Sequence, residues 1–149
     1  QDVDITKVIK QVHDAGIEVM ANYIVGLPGD TMETMQKTLD LSLELNTAGW
    51  NTYAAMALPG SQLYKTALIN GYELPTTYTG YSFHAYDTVP MPTDTLTPAQ
   101  VLKFRDDAFT IYHNDPKFLA RIERLFGKPA ADNIKEMSKV KLKRKLLGD

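Results

Sequence analysis

Two stretches of this sequence carry side chains suited to holding a ligand. The first reads Asn22-Tyr23-Ile24-Val25-Gly26-Leu27-Pro28-Gly29-Asp30-Thr31, an apolar run that breaks into a glycine-rich turn. Gly26 and Gly29 there would let backbone approach a bound molecule closely, and Asp30 is placed to start a helix, with Glu33 completing a capping-box-like pair. By the two-residue period of a strand, Asn22 and Ile24 share a face. An inward-facing Asn needs hydrogen-bond partners, which either a ligand or a neighbouring backbone group supplies. The second stretch reads Asn51-Thr52-Tyr53-Ala54-Ala55-Met56-Ala57-Leu58 and leads into Pro59-Gly60-Ser61-Gln62-Leu63-Tyr64. Neither is a phosphate loop, because no Gly-Lys-Ser/Thr follows the glycines.

The other chemically capable residues are scattered. His13, His84 and His113 lie far apart and lack zinc-site spacing. His84 sits in an aromatic cluster with Tyr78, Tyr81, Phe83 and Tyr86. The cluster could contact substrate, although such aromatics more often pack a crossover loop; His84 alone among them has the pKa range for acid–base work. Arg105, Asp106 and Asp107 read as the solvated face of a helix. Lys139, Lys141, Lys143, Arg144 and Lys145 read as a charge run on a helix surface, with docking to an acidic patch or to RNA as the alternative. The chain contains no cysteine, so it has no disulfide, no thiolate metal site and no cysteine nucleophile.

The elements that must position these residues follow from pattern. Ile5, Val8, Ile9 and Val12 recur with helical period and predict an amphipathic helix over about 4–15, closed by Gly16. Residues 17–25 predict a buried strand. A helix from Asp30 to about Asn46 would turn Met32, Met35, Leu39 and Leu43 inward. A second strand runs from Trp50 to Leu58, and Ser61 caps a short helix ending before Gly71. This order predicts parallel βα units. Pro75, Pro90 and Pro92 make 72–96 an irregular crossover. Thr97-Pro98-Ala99-Gln100 opens a helix over 98–113 that carries Val101, Phe104, Ala108 and Ile111 inward. Asp115-Pro116 starts another through Phe126, and a last helix over about 129–147 carries Ile134, Met137 and Leu142.

The fold class is therefore α/β: two parallel strands in βα units, an irregular segment, and a helical C-terminal extension, divided at 1–71, 72–96 and 97–149. Two parallel strands leave unpaired outer edges. That half is expected to be incomplete, and the chain alone to self-associate. A start at Gln1 close to a helix also reads as a piece of a longer polypeptide. The 149 residues are 44% hydrophobic and 23% charged with net charge −2, the make-up of an ordinary globular domain. No basic footprint points to nucleic acid, and no apolar run approaches the ~18–20 residues of a membrane span. With no basic-then-apolar leader, a cytoplasmic location is expected.

Taken together, the two ligand-suited stretches resemble the fifth and sixth βα units of radical S-adenosylmethionine enzymes. In that family an aliphatic-x-Gly-Leu-Pro-Gly-Asp/Glu-Thr turn precedes, by one helix, a strand ending in Pro-Gly-Thr/Ser-x-Leu-Tyr, and Ala15-Gly16-Ile17 matches the lead-in to the fifth strand. The resemblance covers 13–66. It implies that the chain is the last part of a partial, TIM-like (β/α) barrel. It further implies that Ile24 and Gly26 belong to an element whose aliphatic residue packs on the cofactor's adenine, and that Met56, Ala57 and Leu58 line the same pocket. Asn22 stands where the element has its first glycine and Gly29 where it has glutamate, so the match is partial. Asn22 would then point into the barrel toward cofactor or substrate.

More loosely, Gly71-Tyr72-Glu73-Leu74-Pro75 and Arg105-Asp106-Asp107-Ala108-Phe109 resemble the helical extension of the cobalamin-using branch. The family's three cluster-binding cysteines are missing. What the resemblance implies is a parent enzyme of oxidoreductase or methyltransferase type that uses S-adenosylmethionine and a four-iron iron–sulfur cluster, with cobalamin in that branch. The chain alone would be inactive. Its partners would be the remainder of its own polypeptide and a small-molecule substrate of unknown identity. The rival reading is a small helical protein-interaction module with no catalytic role.

Overall fold

The computed structural model describes residues 3–149 and places six helices around a two-stranded parallel sheet. In order these are α1 (Ile5–Asp14), β1 (Met20–Val25), α2 (Met32–Leu45), β2 (Gly49–Ala54), α3 (Gln62–Asn70), α4 (Pro98–His113), α5 (Pro116–Phe126) and α6 (Lys128–Ser138). The strands pair in register from Met20 with Gly49 to Val25 with Ala54. Registered residues of a parallel pair point to the same side, so the sheet has two unlike faces. Ala21, Tyr23 and Val25 share one with Trp50, Thr52 and Ala54; Met20, Asn22 and Ile24 share the other with Gly49, Asn51 and Tyr53.

The first face is covered by α2 and α4. Val25, Ala54, Met35, Leu96 and Val101 form one buried cluster. A second joins Leu39, Trp50, Ala108, Tyr112, Phe118, Ile122 and Ala131. Trp50 stacks on Tyr112 with centroids 4.9 Å apart, and the Tyr112 hydroxyl donates to the Thr47 carbonyl at 3.0 Å. Burial of one such large side chain contributes about 2 kcal/mol. The same enclosure pushes the Tyr23 phenol up to about 12. Among the described residues, no helix is long and apolar enough to cross a membrane.

Element ends differ from the sequence reading in instructive ways. The start of α2 is capped by Thr31, which exchanges hydrogen bonds with Thr34, so Asp30 and Glu33 do not form the box. Asp30 instead closes the preceding turn, accepting from the Leu27 amide at 3.0 Å and the Thr34 hydroxyl at 2.8 Å. β2 stops at Ala54 because the chain then turns to the crossover: the Ala55 amide still reaches Val25, but the Ala55 carbonyl accepts from Met91 at 2.9 Å. The final helix ends at Ser138, nine residues short of the expected 147.

Ile111 is 50% exposed, because α4 turns Val101, Leu102, Arg105, Ala108 and Tyr112 inward instead. Met32, Met137 and Leu142 are also exposed. α1 buries no residue; Ile5 and Val8 of its apolar stripe stay exposed.

The two outer edges of the sheet also differ. Gly49 and Ala55 donate to Val19 and Val25, so odd-numbered residues of β2 face β1 and Thr52 faces outward. There its carbonyl accepts from the Arg105 Nε at 3.0 Å. Among the described residues β1 has no second neighbouring strand. Its backbone groups on that side are open to pairing.

Candidate functional site

The uncovered face of the sheet gathers polar and aromatic groups from three parts of the chain. In mid-sheet, Asn22 lies beside Asn51, and the Asn51 Nδ2 donates to the Asn22 Oδ1 at 3.1 Å. The Tyr53 hydroxyl approaches the same oxygen at 3.5 Å. Asn22 Oδ1 is thus used within the protein, while its amide hydrogens and the Asn51 carbonyl oxygen remain available. An amide donor and an amide acceptor on neighbouring strands match a ligand edge that offers both functions, as a carboxamide or an adenine does.

Beside this pair, Ile24 is 53% exposed and registers with Tyr53. The Phe83 ring meets Tyr53 edge-on at 4.9 Å, and His84 lies 4.3 Å from Phe83. The patch therefore combines an amide pair, an aliphatic platform and an aromatic wall.

Two arginines hold that wall in place. Arg105, 4% exposed, donates to the Thr52 carbonyl and bonds Asp106 at 3.0 Å, with its guanidinium 5.2 Å from the Phe83 ring. Arg144 is fully buried. It donates to the Phe83 carbonyl at 2.8 Å, the Ala85 carbonyl at 2.9 Å and both oxygens of Asp106. The Arg105–Asp106 segment is thus an anchor, not the solvated face expected from sequence; Asp107 alone keeps that role, paired with Lys103 on the surface. The basic tail likewise is not a helix-surface run. Past Ser138 it has only a short 3-10 turn over Lys145–Leu147, with Arg144 turned inward, and the Lys145 amide donates to the Tyr86 carbonyl.

Burial first, then the Arg105 and Arg144 charges, holds the His84 imidazole below its usual pKa, so it is neutral at pH 7. His113 is a core residue, with Nδ1 at 2.8 Å from the Phe109 carbonyl and its ring among Trp50, Phe109 and Phe118. His13 lies on α1. Among the described residues no group of three His, Cys, Asp or Glu side chains is placed to hold a metal ion.

The residues singled out from sequence divide. Asn22 and Ile24 lie on the uncovered face. Gly26 has φ +78°, and a Cβ there would sit 2.4 Å from the Val101 Cγ1, so its lack of a side chain serves the approach of α4. Met56 is half-buried beyond the strand, Ala57 is buried beside Ala67 and Met91, and Leu58 is 52% exposed. The turns after β1 and β2 lie at the same end of the sheet, since the strands are parallel and in register.

No family model, no curated protein and no solved structure matches this chain.

Asn51, Tyr53 and Phe83 join the patch without having been singled out as ligand-holding residues. For Asn51 and Tyr53 the signal was present, because in-register pairing of the two apolar runs carries them to the face of Asn22. Phe83 belonged to the aromatic cluster that could contact substrate but was read as crossover packing, since its position depends on contacts made by Arg105 and Arg144 from distant parts of the chain.

Proposed function

We propose that this chain is the closing part of a radical S-adenosylmethionine enzyme, with the face around Asn22 and Asn51 turned toward the barrel interior. The observation that carries the reading is the parallel, in-register pair of strands with one face packed under helices and the other bare, polar and aromatic. In (β/α) barrels, strands are covered outside by helices and point alternate residues into a ligand-bearing interior, with sites at their C-terminal ends. The unequal edges of the sheet fit a last-strand position for β2, whose outward Thr52 carbonyl is taken by Arg105. The open edge of β1 and the exposed stripe of α1 would then receive the preceding βα unit of the same polypeptide.

The donors present suit the adenine part of the cofactor: an amide pair for its polar edge, and Ile24 and Tyr53 for its faces. This refines the set suggested by the family pattern. Asn22 and Ile24 keep their assignment, Met56 and Leu58 flank the strand end, and Asn51 and Tyr53 are added. Ala57 and Gly26 act by packing. The iron–sulfur cluster would supply the electron that cleaves the cofactor, and without cysteine this chain leaves its ligation to the rest of the parent protein. Oxidative or methyl-transfer chemistry on a small molecule, with cobalamin in the latter case, would follow from that remainder.

The encoding gene tests the assignment. An in-frame Cys-x-x-x-Cys-x-x-Cys stretch upstream of the codon for Gln1 supports it. A reading frame that opens near that codon contradicts it and leaves the interaction-module reading in its place.

A further inference from the structure

The uncovered face of the sheet rises in three rungs: Met20 with Gly49, Asn22 with Asn51, and Ile24 with Tyr53. At Gly49 the Met20 thioether takes the space a Cβ would need, so an apolar group already fills the lowest rung. A ligand therefore meets the upper two, where β2 contributes Asn51 and Tyr53. Between those two residues lies Thr52, which is buried on the covered side. Its carbonyl points to the outer edge of the sheet, where Arg105 of α4 donates to it from Nε at 3.0 Å.

The same guanidinium makes further contacts. Its Nη1 bonds Asp106 at 3.0 Å, and its plane lies 5.2 Å from the Phe83 centroid and 5.5 Å from that of Phe109, within range of a cation–π attraction. Phe83 in turn meets Tyr53 edge-on, with ring planes 89° apart. Asp106 also holds Arg144, which donates to the Phe83 carbonyl. Phe83 is thus fixed by its ring and by its backbone, both through one carboxylate on α4. Helix packing alone does not ask for this. A buried charge is costly to desolvate, and apolar residues of similar volume often replace a buried ion pair without loss. An apolar residue cannot tie the strand carbonyl between two ligand-facing residues to the ring that stands beside them.

We infer that Arg105 is a positioning residue for the ligand face: acting from behind the sheet, it sets the Phe83 ring against Tyr53 and so fixes the width of the recess above Asn22 and Asn51. The inference rests on the reading of that face as the adenine site, and adds a residue that touches no ligand.

Calorimetric titration of the full-length protein with S-adenosylhomocysteine tests it, since this analogue carries the adenosine and has no sulfonium to cleave. In Arg105→Lys the ammonium can still donate to the Thr52 carbonyl but offers no planar face to Phe83. Arg105→Lys and Phe83→Leu should each weaken binding about tenfold, and the double variant should bind about as Phe83→Leu does, because Arg105 acts through the ring. A merely structural arginine predicts the same loss from Arg105→Lys in both backgrounds. Additive losses overturn the inference, as does unchanged affinity in Arg105→Lys. Phe83 is only half-buried, so Phe83→Leu folds even where Arg105→Lys does not, and unchanged affinity in that variant also overturns it. A parent protein that binds no S-adenosylhomocysteine overturns the adenine reading itself, and the positioning role with it.

Discussion

Arg144 and Asp106, one in the C-terminal tail and the other on α4, form a two-point ion pair: Nε to Oδ2 at 2.8 Å and Nη2 to Oδ1 at 2.9 Å. Two further guanidinium hydrogens go to the Phe83 and Ala85 carbonyls, so one fully buried side chain ties the tail and the aromatic segment to the helix under the sheet. Removing one partner of such a pair leaves charge and carbonyls unsatisfied, at a cost of about 3–5 kcal/mol. Arg144→Met should lower stability by about that amount in urea unfolding. Arg144→Lys should recover little, because an ammonium cannot reproduce the planar fork. A loss under about 1 kcal/mol for Arg144→Met would show that the tail is not fastened this way.

Gly26 and Val101 give a second, local test. A methyl at Gly26 meets Val101 and must also adopt φ +78°. Gly26→Ala should therefore cost about 2–4 kcal/mol from overpacking and backbone strain together. Adding Val101→Ala should return only the overpacking part, which a double-mutant cycle reads as a coupling of about 1 kcal/mol or more. Full additivity would mean that the two do not touch.

Stability should also fall on the acid side of neutrality. Burial, the largest cause for each, lowers the folded-state pKa of His13, His84 and His113 below 6.5. Below pH 6.5 the unfolded chain takes up protons that the folded chain resists. This contribution is thus complete above pH 6.5 and is lost as the pH falls toward the lowered folded values. The lowered carboxyls of Asp87 and Asp132 act only below about 4, so the first decline belongs to histidine. His113, enclosed by Trp50, Phe109 and Phe118, should dominate. Urea midpoints at about pH 7.5 and 5.5 should differ for the parent and differ less for His113→Gln. An unchanged difference would move the effect to another residue.

Much of this architecture was legible from local chemistry. Thr97-Pro98-Ala99-Gln100 specifies its own helix start, and that helix runs over the expected Pro98–His113. Asp115, Ser61 and Gly71 act at helix ends as their types dictate. The parallel pairing followed from the alternation of apolar runs and helices. The tail misled because Arg144 was read with its lysine neighbours as surface charge, whereas its burial depends on an aspartate and two carbonyls far away in sequence. The ligand face was half legible: strand parity gives Asn22 and Ile24, but Gly26 is explained by a side chain from a helix that the local pattern does not bring to mind.

The open edge of β1 and the exposed apolar stripe of α1 predict that the isolated chain self-associates. Light scattering on dilution should show concentration-dependent oligomers, and Ile5→Glu together with Val8→Glu should shift them toward monomer. A strictly monomeric chain at every concentration would contradict this use of the exposed surface.

Asn22 and Asn51 are solvent-exposed, so Asn22→Ala and Asn51→Ala should change stability by no more than about 0.5 kcal/mol. Any larger effect on ligand binding in the full protein then reports recognition and not folding. Equal losses of stability and binding would assign the pair a structural role.

The central claim is radical chemistry with S-adenosylmethionine. Its most direct test is anaerobic reconstitution of the full-length protein with iron and sulfide, followed by reduction and quantification of 5′-deoxyadenosine. The account predicts that this product forms from S-adenosylmethionine, and that it falls sharply in a folded Asn22→Ala protein. A reconstituted, reduced, cofactor-supplied protein that yields none contradicts it.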